Sequence, residues 1–415
     1  MLRQVDASRG DGGCRSGKDD RRDQPPLSGR PAGRDVLCRH RADAPHALRG
    51  ADAKVTEKHV AGFFSQARIE LADPKTVIAA VCQHMTEHSA ELEEEGDTHL
   101  LRFKTSSARF VPDGKAIRVD VEATDMEGIY FTRLAVASHI IEFAEGQSPH
   151  IAWQGAGDEI SRPPNFEIME VKTVRDVTPH MRRLTLLGER VERFLPLDAL
   201  HLNILVQRPD VQEPQWPTVG SDGLIQWSDP AKRPEFRKYT VRSVDVAAGT
   251  MDLDFVIHSD AGPGSSLAQS AKPGDRIGIA GPGGGGLADA DWYLFVGDET
   301  ALPAIARMLE ALSDEATGLA FIEVADEAEV QPLRHPVGLK VTWLFRGGAP
   351  AGTANLLLPA MEGAAFPSGE ERVYVWAGCE FDDFRAIRKH VRSERGLQKH
   401  EHLVVSYWRR GVEGD

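Results

Sequence analysis

His258–Gly286 reads HSDAGPGSSLAQSAKPGDRIGIAGPGGGG. Glycine, proline and small hydroxyl residues surround one short apolar stretch, Arg276–Ala280. On either side the chain follows a different rhythm, and that contrast decides the fold. Upstream, residues 165–283 alternate short apolar runs with turns: FEIMEVKTV, HMRRLTLLG, LHLNILVQ, LIQWS, FRKYTVRSVDV, TMDLDFVIH and DRIGIAGPG. Many short strands at close spacing predict a small antiparallel barrel over 165–286. The Pro-rich PDVQEPQWPTVGSDG inside it reads as a surface loop. Downstream, the near-continuous apolar strands DWYLFVGDE, GLAFIEVAD, GLKVTWLFRG, RVYVWAGCE and HLVVSYWRRG alternate with helical segments. That pattern predicts a doubly wound parallel sheet over 290–413, covered on both faces.

The glycine-rich stretch then divides by chemistry. GPGSSLAQS reads as a turn entering a short helix, whose free amides and positive end favour a phosphate. Gly262 and Gly264, on either side of Pro263, let the backbone approach closely, Ser265 and Ser266 add hydroxyls, and His258 ends the preceding strand. A capped surface helix with no ligand fits the same residues. The second cluster, Gly281–Gly286, reads as the junction between the barrel and the α/β half.

Arg237-Lys238-Tyr239-Thr240-Val241-Arg242 lies in the fifth barrel strand. Alternation places Arg237 and Tyr239 on one face and Lys238, Thr240 and Arg242 on the other. A flavin needs a cation for its pyrophosphate, a flat surface for its ring and a hydrogen-bond partner near the reactive nitrogen. Arg237, Tyr239 and Thr240 supply these if the strand kinks after Tyr239. An ordinary strand with snorkelling Arg and Lys is the alternative.

In the α/β half no G-x-G-x-x-G follows the first strand; GDETALPAI stands there. Asp298 and Glu299 repel a phosphate at that helix start, so Gly297–Ala301, through Thr300, suits a nicotinamide or ribose contact better. Gly378 ends another strand at the carboxyl edge where ligands of open sheets gather. Cys379 beside it reads as a packed small residue or a reactive thiol. Tyr407-Trp408-Arg409-Arg410 offers an aromatic cover and a cationic pair, or an amphipathic terminal strand.

Residues 60–148 read as a small α+β module: a strand ARIELA, a helix over 73–95 with Asp73 as N-cap, three strands with a hairpin turn at Asp113–Gly114, and a second helix. EGQSPHIAWQGAGDEISRPPN reads as the linker. Cys82, His84 and His88 share the first helix and His139 stands on the second. Only His84 and His88 have the i, i+4 spacing of metal ligands, so no metal site is expected.

Charge narrows the partners. The formal net charge is −14, with 49 basic and 63 acidic residues. Residues 1–50 carry +4 and the remainder −18, so a nucleic-acid partner is not expected. Residues 1–55 read as a disordered tail, or as translated sequence upstream of the true start, without function. No run is long and apolar enough for membrane insertion, and four scattered cysteines fit a reducing, cytoplasmic setting.

RKYTVRSVD, DFVIHSDAGPGSS, GDRIGIAGPGG, GDETALPAI, VYVWAGCEFDDF and SYWRRG, in that order over 165–411, resemble the siderophore-interacting proteins, flavoproteins distantly related to ferredoxin–NADP reductases. Residues 60–148 resemble an uncharacterised bacterial domain found beside them. The resemblance implies FAD in the barrel, NADH or NADPH in the α/β domain, and reduction of a ferric siderophore that releases Fe(II) in the cytoplasm. A general flavin reductase and a non-catalytic siderophore binder are the alternatives. Arg237, Tyr239 and Thr240 match the flavin motif, with Tyr239 and Thr240 nearest the chemistry. His258, Gly262 and Pro263 match the phosphate turn, which continues Gly264-Ser265 where the family often has Ala-Ser. Gly297, Asp298, Glu299, Thr300, Ala301, Gly378, Glu380, Trp408 and Arg409 match the nicotinamide side, though Cys379 intervenes before Glu380. Ferric catecholates are anionic, so Lys238, Arg242, Arg409 and Arg410 form an expected positive collar. Protein partners are unknown.

Overall fold

The computed structural model describes residues 62–88, 90–258 and 262–412. The expected tail lies outside them, as do Ser259, Asp260 and Ala261 of the glycine-rich turn.

The N-terminal module contains β1 (Phe63–Glu70), α1 (Pro74–Glu87), β2 (Glu91–Glu95), β3 (Thr98–Arg102), β4 (Ser106–Asp113), β5 (Ala116–Ala123), α2 (Met126–Phe143) and β6 (Trp153–Gly155). Its antiparallel sheet runs β2-β3-β4-β5-β1-β6. Asp73 caps α1 by accepting the Thr76 amide, with Pro74 in the first turn. The helix is shorter than expected. Glu91–Glu95 leaves it to pair with β3 around Gly96, whose φ is +60°. Leu92 packs on the core while the glutamates stay in water, a charged edge that discourages further pairing. The hairpin turn also moves by one residue: Asp113 pairs with Ala116, leaving Gly114 and Lys115 at its centre. The expected linker is partly structured, because Trp153–Gly155 adds an edge to β1.

The second unit contains β7 (Phe166–Thr178), β8 (Met181–Leu187), β9 (His201–Val206), β10 (Thr218–Val219), β11 (Ile225–Gln226), β12 (Glu235–Asp245), β13 (Thr250–Val256), α3 (Pro263–Ser270) and β14 (Arg276–Gly283). Six of these strands close as β12-β13-β8-β7-β14-β9, every pair antiparallel. Inward residues such as Leu184, Ile204, Val241, Leu253 and Ile279 fill the barrel. LIQWS is not a barrel strand; its Ile225–Gln226 pairs only with Thr218–Val219. Nor is the Pro-rich excursion merely a surface loop. Trp216 and Trp227 pack on Phe166, Leu205 and Ala280 outside the barrel. Ser221 and Asp222 carbonyls accept the Trp153 amide and indole at 3.0 Å each, which docks the N-terminal module on this excursion.

The third unit contains β15 (Trp292–Gly297), α4 (Leu302–Ala311), β16 (Thr317–Val324), β17 (Leu339–Phe345), α5 (Leu357–Glu362), β18 (Val373–Glu380), α6 (Phe381–Lys389) and β19 (His402–Trp408). The sheet is parallel throughout, in the order β17-β16-β15-β18-β19. Helices cover both faces, as two separate buried clusters on its two sides show. The chain is thus a small α+β module, an antiparallel β-barrel and a doubly wound α/β domain.

The junction between barrel and sheet is packed. A Cβ on Gly286 would lie 1.8 Å from the Leu197 carbonyl oxygen, so the run of glycines is a close approach and not a flexible tether. Three side chains fasten the two halves. Arg307 of α4 donates to the Val241 and Leu195 carbonyls at 3.1 and 3.0 Å and also to that of Phe194. Arg242 of β12 forms a bidentate pair with Glu310 of α4 at 3.0 and 2.6 Å. Glu329, after β16, accepts from the Thr178 hydroxyl and the His180 ring at the β7–β8 turn.

Candidate active site at the barrel–sheet boundary

β12 carries the first part of the site. Arg237 and Tyr239 lie opposite Ile204 and Leu202 of β9, so they share one face. Thr240 and Val241 are then buried in succession, breaking the alternation. There β12 exchanges β9 for β13 as its partner, and its register shifts before Ser243. Such an irregularity re-aims a side chain that a regular strand would send elsewhere.

Tyr239 packs its ring 4.2 Å from that of Phe255 and extends its hydroxyl to the start of α3. A Cβ on Gly264 would stand 2.2 Å from that hydroxyl oxygen, so the first helical turn reaches the phenol only because Gly264 has no side chain. Gly262 occupies the N-cap position and no side chain caps the helix; Pro263 follows it and Ser265 is buried. The Tyr239 hydroxyl makes no hydrogen bond among the described residues, and burial pushes its phenol up, holding it neutral. Arg237 donates to the Phe236 carbonyl at 2.9 Å and pairs with Glu235. His258 is exposed at the end of this region, its carbonyl accepting from Gln269. An arginine, a neutral phenol and an uncapped helix start with an obligatory glycine form a donor set suited to a pyrophosphate-bearing cofactor. The residues present therefore fit FAD.

The second part is the carboxyl edge of the parallel sheet. Asp298, directly after β15, is buried and accepts from the Thr300 amide (2.9 Å), the Thr300 hydroxyl, the Glu380 amide (3.1 Å) and the Trp408 indole (2.8 Å). One carboxylate thereby ties together the ends of β15, β18 and β19. Burial and the neighbouring Glu299 raise its pKa, against the Thr300 and Trp408 donors. Glu380 caps α6 through the Asp382 amide and accepts the Arg410 amide at 3.0 Å. Glu299 holds Arg346 in a bidentate pair at 2.6 and 2.8 Å. Gly297 and Gly378 lie side by side against Ala301, where a Cβ on either would meet the Ala301 methyl. Cys379 is fully buried and its thiol is pushed well up by burial and nearby carboxylates, so it is a packed residue.

The two parts meet at Tyr407. Its hydroxyl lies 2.6 Å from Nε2 of His201, the residue that pairs with Thr240 across β9 and β12. The expected aromatic cover resolves accordingly: Tyr407 reaches the barrel beside the flavin strand, while Trp408 turns to Asp298 and packs near Gly352. Arg242 is removed from the expected collar, because Glu310 neutralises it at the domain boundary. Lys238, Arg409 and Arg410 remain exposed, with Arg409 over the Phe381 ring at 4.7 Å. The carboxylates of Asp298, Glu299 and Glu380, residues expected on the nicotinamide side, all have protein partners. His201 and Arg346 escaped the sequence reading, since neither sits in a spacing that marks it.

Comparison with known proteins agrees with this arrangement. Residues 290–411 match the family model described as siderophore-interacting protein, and residues 170–286 the siderophore-interacting FAD-binding domain. Residues 66–154 match a family described as an uncharacterized protein conserved in bacteria. Ferric vibriobactin reductase ViuB of Vibrio cholerae is 33% identical over 239 residues, 57% of this chain and 86% of the relative. The chain belongs to the siderophore-interacting protein family. The NADPH-dependent ferric-chelate reductase of Escherichia coli is 31% identical over 217 residues, covering 50% of this chain and 83% of that relative. The crystal structure of a siderophore utilization protein from T. fusca is 41% identical, with a TM-score of 0.54 over 60% of this chain and 95% of that one. In this siderophore-interacting protein the barrel is accordingly the FAD domain.

Proposed function

We propose that the protein is an NAD(P)H-dependent, FAD-containing reductase of ferric siderophores that frees iron as Fe(II) in the cytoplasm. The observation that carries this reading is the contact of Tyr407 with His201, the β9 partner of Thr240, which joins the barrel beside the flavin strand to the end of the last sheet strand. Arg237 and the start of α3, Gly262–Ser265, hold the FAD pyrophosphate, with His258 at the edge of the turn and Tyr239 against the ring. Bound FAD supplies the exchange between a two-electron nicotinamide donor and a one-electron ferric acceptor. Thr240 orients the ring's reactive edge, and Tyr407 holds its β9 neighbour His201. Gly297, Thr300, Ala301 and Gly378 shape the nicotinamide approach, the two glycines letting Ala301 pack directly on the sheet edge. Asp298, Glu299 and Glu380 position that edge, and Asp298 pins Trp408 in place. NADPH in the name of the Escherichia coli relative supports a nicotinamide donor.

Ferric vibriobactin in the name of the Vibrio relative supports a ferric siderophore as substrate. Hard oxygen ligands hold Fe(III) far more tightly than Fe(II), so one electron suffices to loosen the metal. No acid–base pair is required. Lys238, Arg409 and Arg410 provide positive charge for an anionic complex on a body whose net charge is −14. The cytoplasmic setting rests on scattered cysteines, of which Cys82 and Cys379 are free and buried. Among the described residues no helix is long and apolar enough to cross a membrane. Steady-state turnover with NADH and NADPH tests the proposal, comparing a ferric catecholate siderophore with free flavin and trapping Fe(II) with a ferrous chelator. Preference for the siderophore supports it. Equal or faster turnover of free flavin, without ferrous complex, marks a general flavin reductase instead.

A further inference from the structure

The N-terminal module holds a side-chain cluster that the reductase chemistry does not use. His84 and His88, one turn apart on α1 and its C-cap, bring their Nε2 atoms to 3.1 Å. Across the helix pair, the His139 ring of α2 stands 4.9 Å from that of His84, centroid to centroid. Phe143 walls the group, 5.6 Å from the His84 ring and stacked on His139. We propose that His84, His88 and His139 bind one divalent first-row transition-metal ion at the α1–α2 interface.

Two imidazole nitrogens on one ion, each at about 2.0–2.1 Å, stand about 2.9–3.4 Å apart in adjacent coordination positions. His84 and His88 already have that separation. An N–H···N hydrogen bond has a similar length, so the third histidine carries the distinction. His139 Nδ1 lies 2.6 Å from the Ala135 carbonyl oxygen, which makes Nδ1 the donor and leaves Nε2 with its lone pair. A backbone carbonyl fixing one ring nitrogen so that the other is free for a metal is the usual supporting arrangement of a ligating histidine. The His139 ring must still swing its free nitrogen onto the pair. Three nitrogen ligands leave a position for water.

Cys82 is not a fourth ligand. It faces the module's core, where burial pushes its thiol up to about 12. Another potential ligand group among the described residues, Glu362, His390 and Glu394, is already occupied with itself. His390 Nδ1 pairs with Glu394 at 2.7 Å, and its Nε2 accepts from Arg395.

Cobalt(II) is the probe, because its visible absorption reports nitrogen ligation. The chelator-treated, full-length protein is titrated with Co(II) and then with Zn(II) as competitor. One equivalent should bind with a visible band, Zn(II) should displace it, and either metal should raise the unfolding midpoint. His84→Ala and His139→Gln should each weaken binding at least about tenfold while leaving FAD occupancy unchanged. His88→Gln serves as a second probe if either variant loses FAD or unfolds. A silent titration, or binding that persists in the His84 and His88 variants, overturns the site. Loss in His84→Ala with full retention in His139→Gln overturns the three-histidine assignment.

Discussion

A single hydroxyl, that of Tyr407, reaches from the last sheet strand to His201 on the barrel, the β9 partner of Thr240. Tyr407→Phe removes it without changing ring volume. Flavin reduction by the nicotinamide should slow by about tenfold, the equivalent of one hydrogen bond of ~1–1.5 kcal/mol, with FAD occupancy unchanged. Stopped-flow reduction rates check this, and an unaltered rate removes Tyr407 from the site. Gly264→Ala places a methyl where the Tyr239 hydroxyl lies and should lower FAD retention on gel filtration. Arg237→Ala should weaken FAD binding by about 10–100-fold, as expected for a charge-assisted contact. Full occupancy after dialysis would falsify the pyrophosphate role of Arg237. Much at this scale was legible in the sequence. Strand alternation alone put Arg237 and Tyr239 on one face. It failed for Arg242, whose partner Glu310 lies 68 positions away, and ion pairs at that separation leave no local signal.

At the scale of elements, α4 and β12 illustrate how the halves are held. Arg307 is buried and spends its donors on barrel carbonyls. Arg307→Met leaves those carbonyls unpaired and should cost about 2–4 kcal/mol, seen as a lower denaturant midpoint; a change within error would mean that water replaces the arginine. Glu323 on β16 predicts a pH effect. Burial raises its carboxyl from 4.5 to about 7, despite Arg346 at 3.5 Å. The native state therefore holds a proton that the unfolded chain releases, and stability should fall as pH rises between 4.5 and 7. Glu323→Gln should flatten that slope in urea midpoints taken across the window. An unchanged slope assigns the effect elsewhere. The elements themselves were largely legible, because period-2 and helical patterns are local. Glu91–Glu95 misled because glutamate favours helices in isolation. The strand won by burying Leu92 beside β3, a contact that only the folded sheet provides.

Across the whole molecule, the order of barrel and sheet followed from the change of rhythm around Gly281–Gly286. The docking of the N-terminal module did not. It depends on Trp153 meeting the Ser221–Asp222 carbonyls, from a stretch whose prolines and glycines read as a loop. The histidine group on α1 and α2 was half visible for the same reason: a helix repeat reveals His84 and His88, but only packing brings His139 to them. Charge acts at this scale too. Arg409→Ala with Arg410→Ala should raise the KM for anionic ferric siderophores several-fold more than for neutral ones, and most at low ionic strength. Equal shifts for both substrate classes would remove the collar.

On the proposed function, a flavin between barrel and sheet passes electrons from nicotinamide to a ferric siderophore. An anaerobic two-stage spectrophotometric titration tests it most directly. NADH or NADPH is added first, and a ferric siderophore after the excess donor is removed. The yellow absorption should bleach with the preferred nicotinamide and return on adding the siderophore, with two equivalents of Fe(II) trapped per flavin. Protein purified without bound flavin, or bleached flavin that the ferric siderophore leaves unchanged, would contradict it.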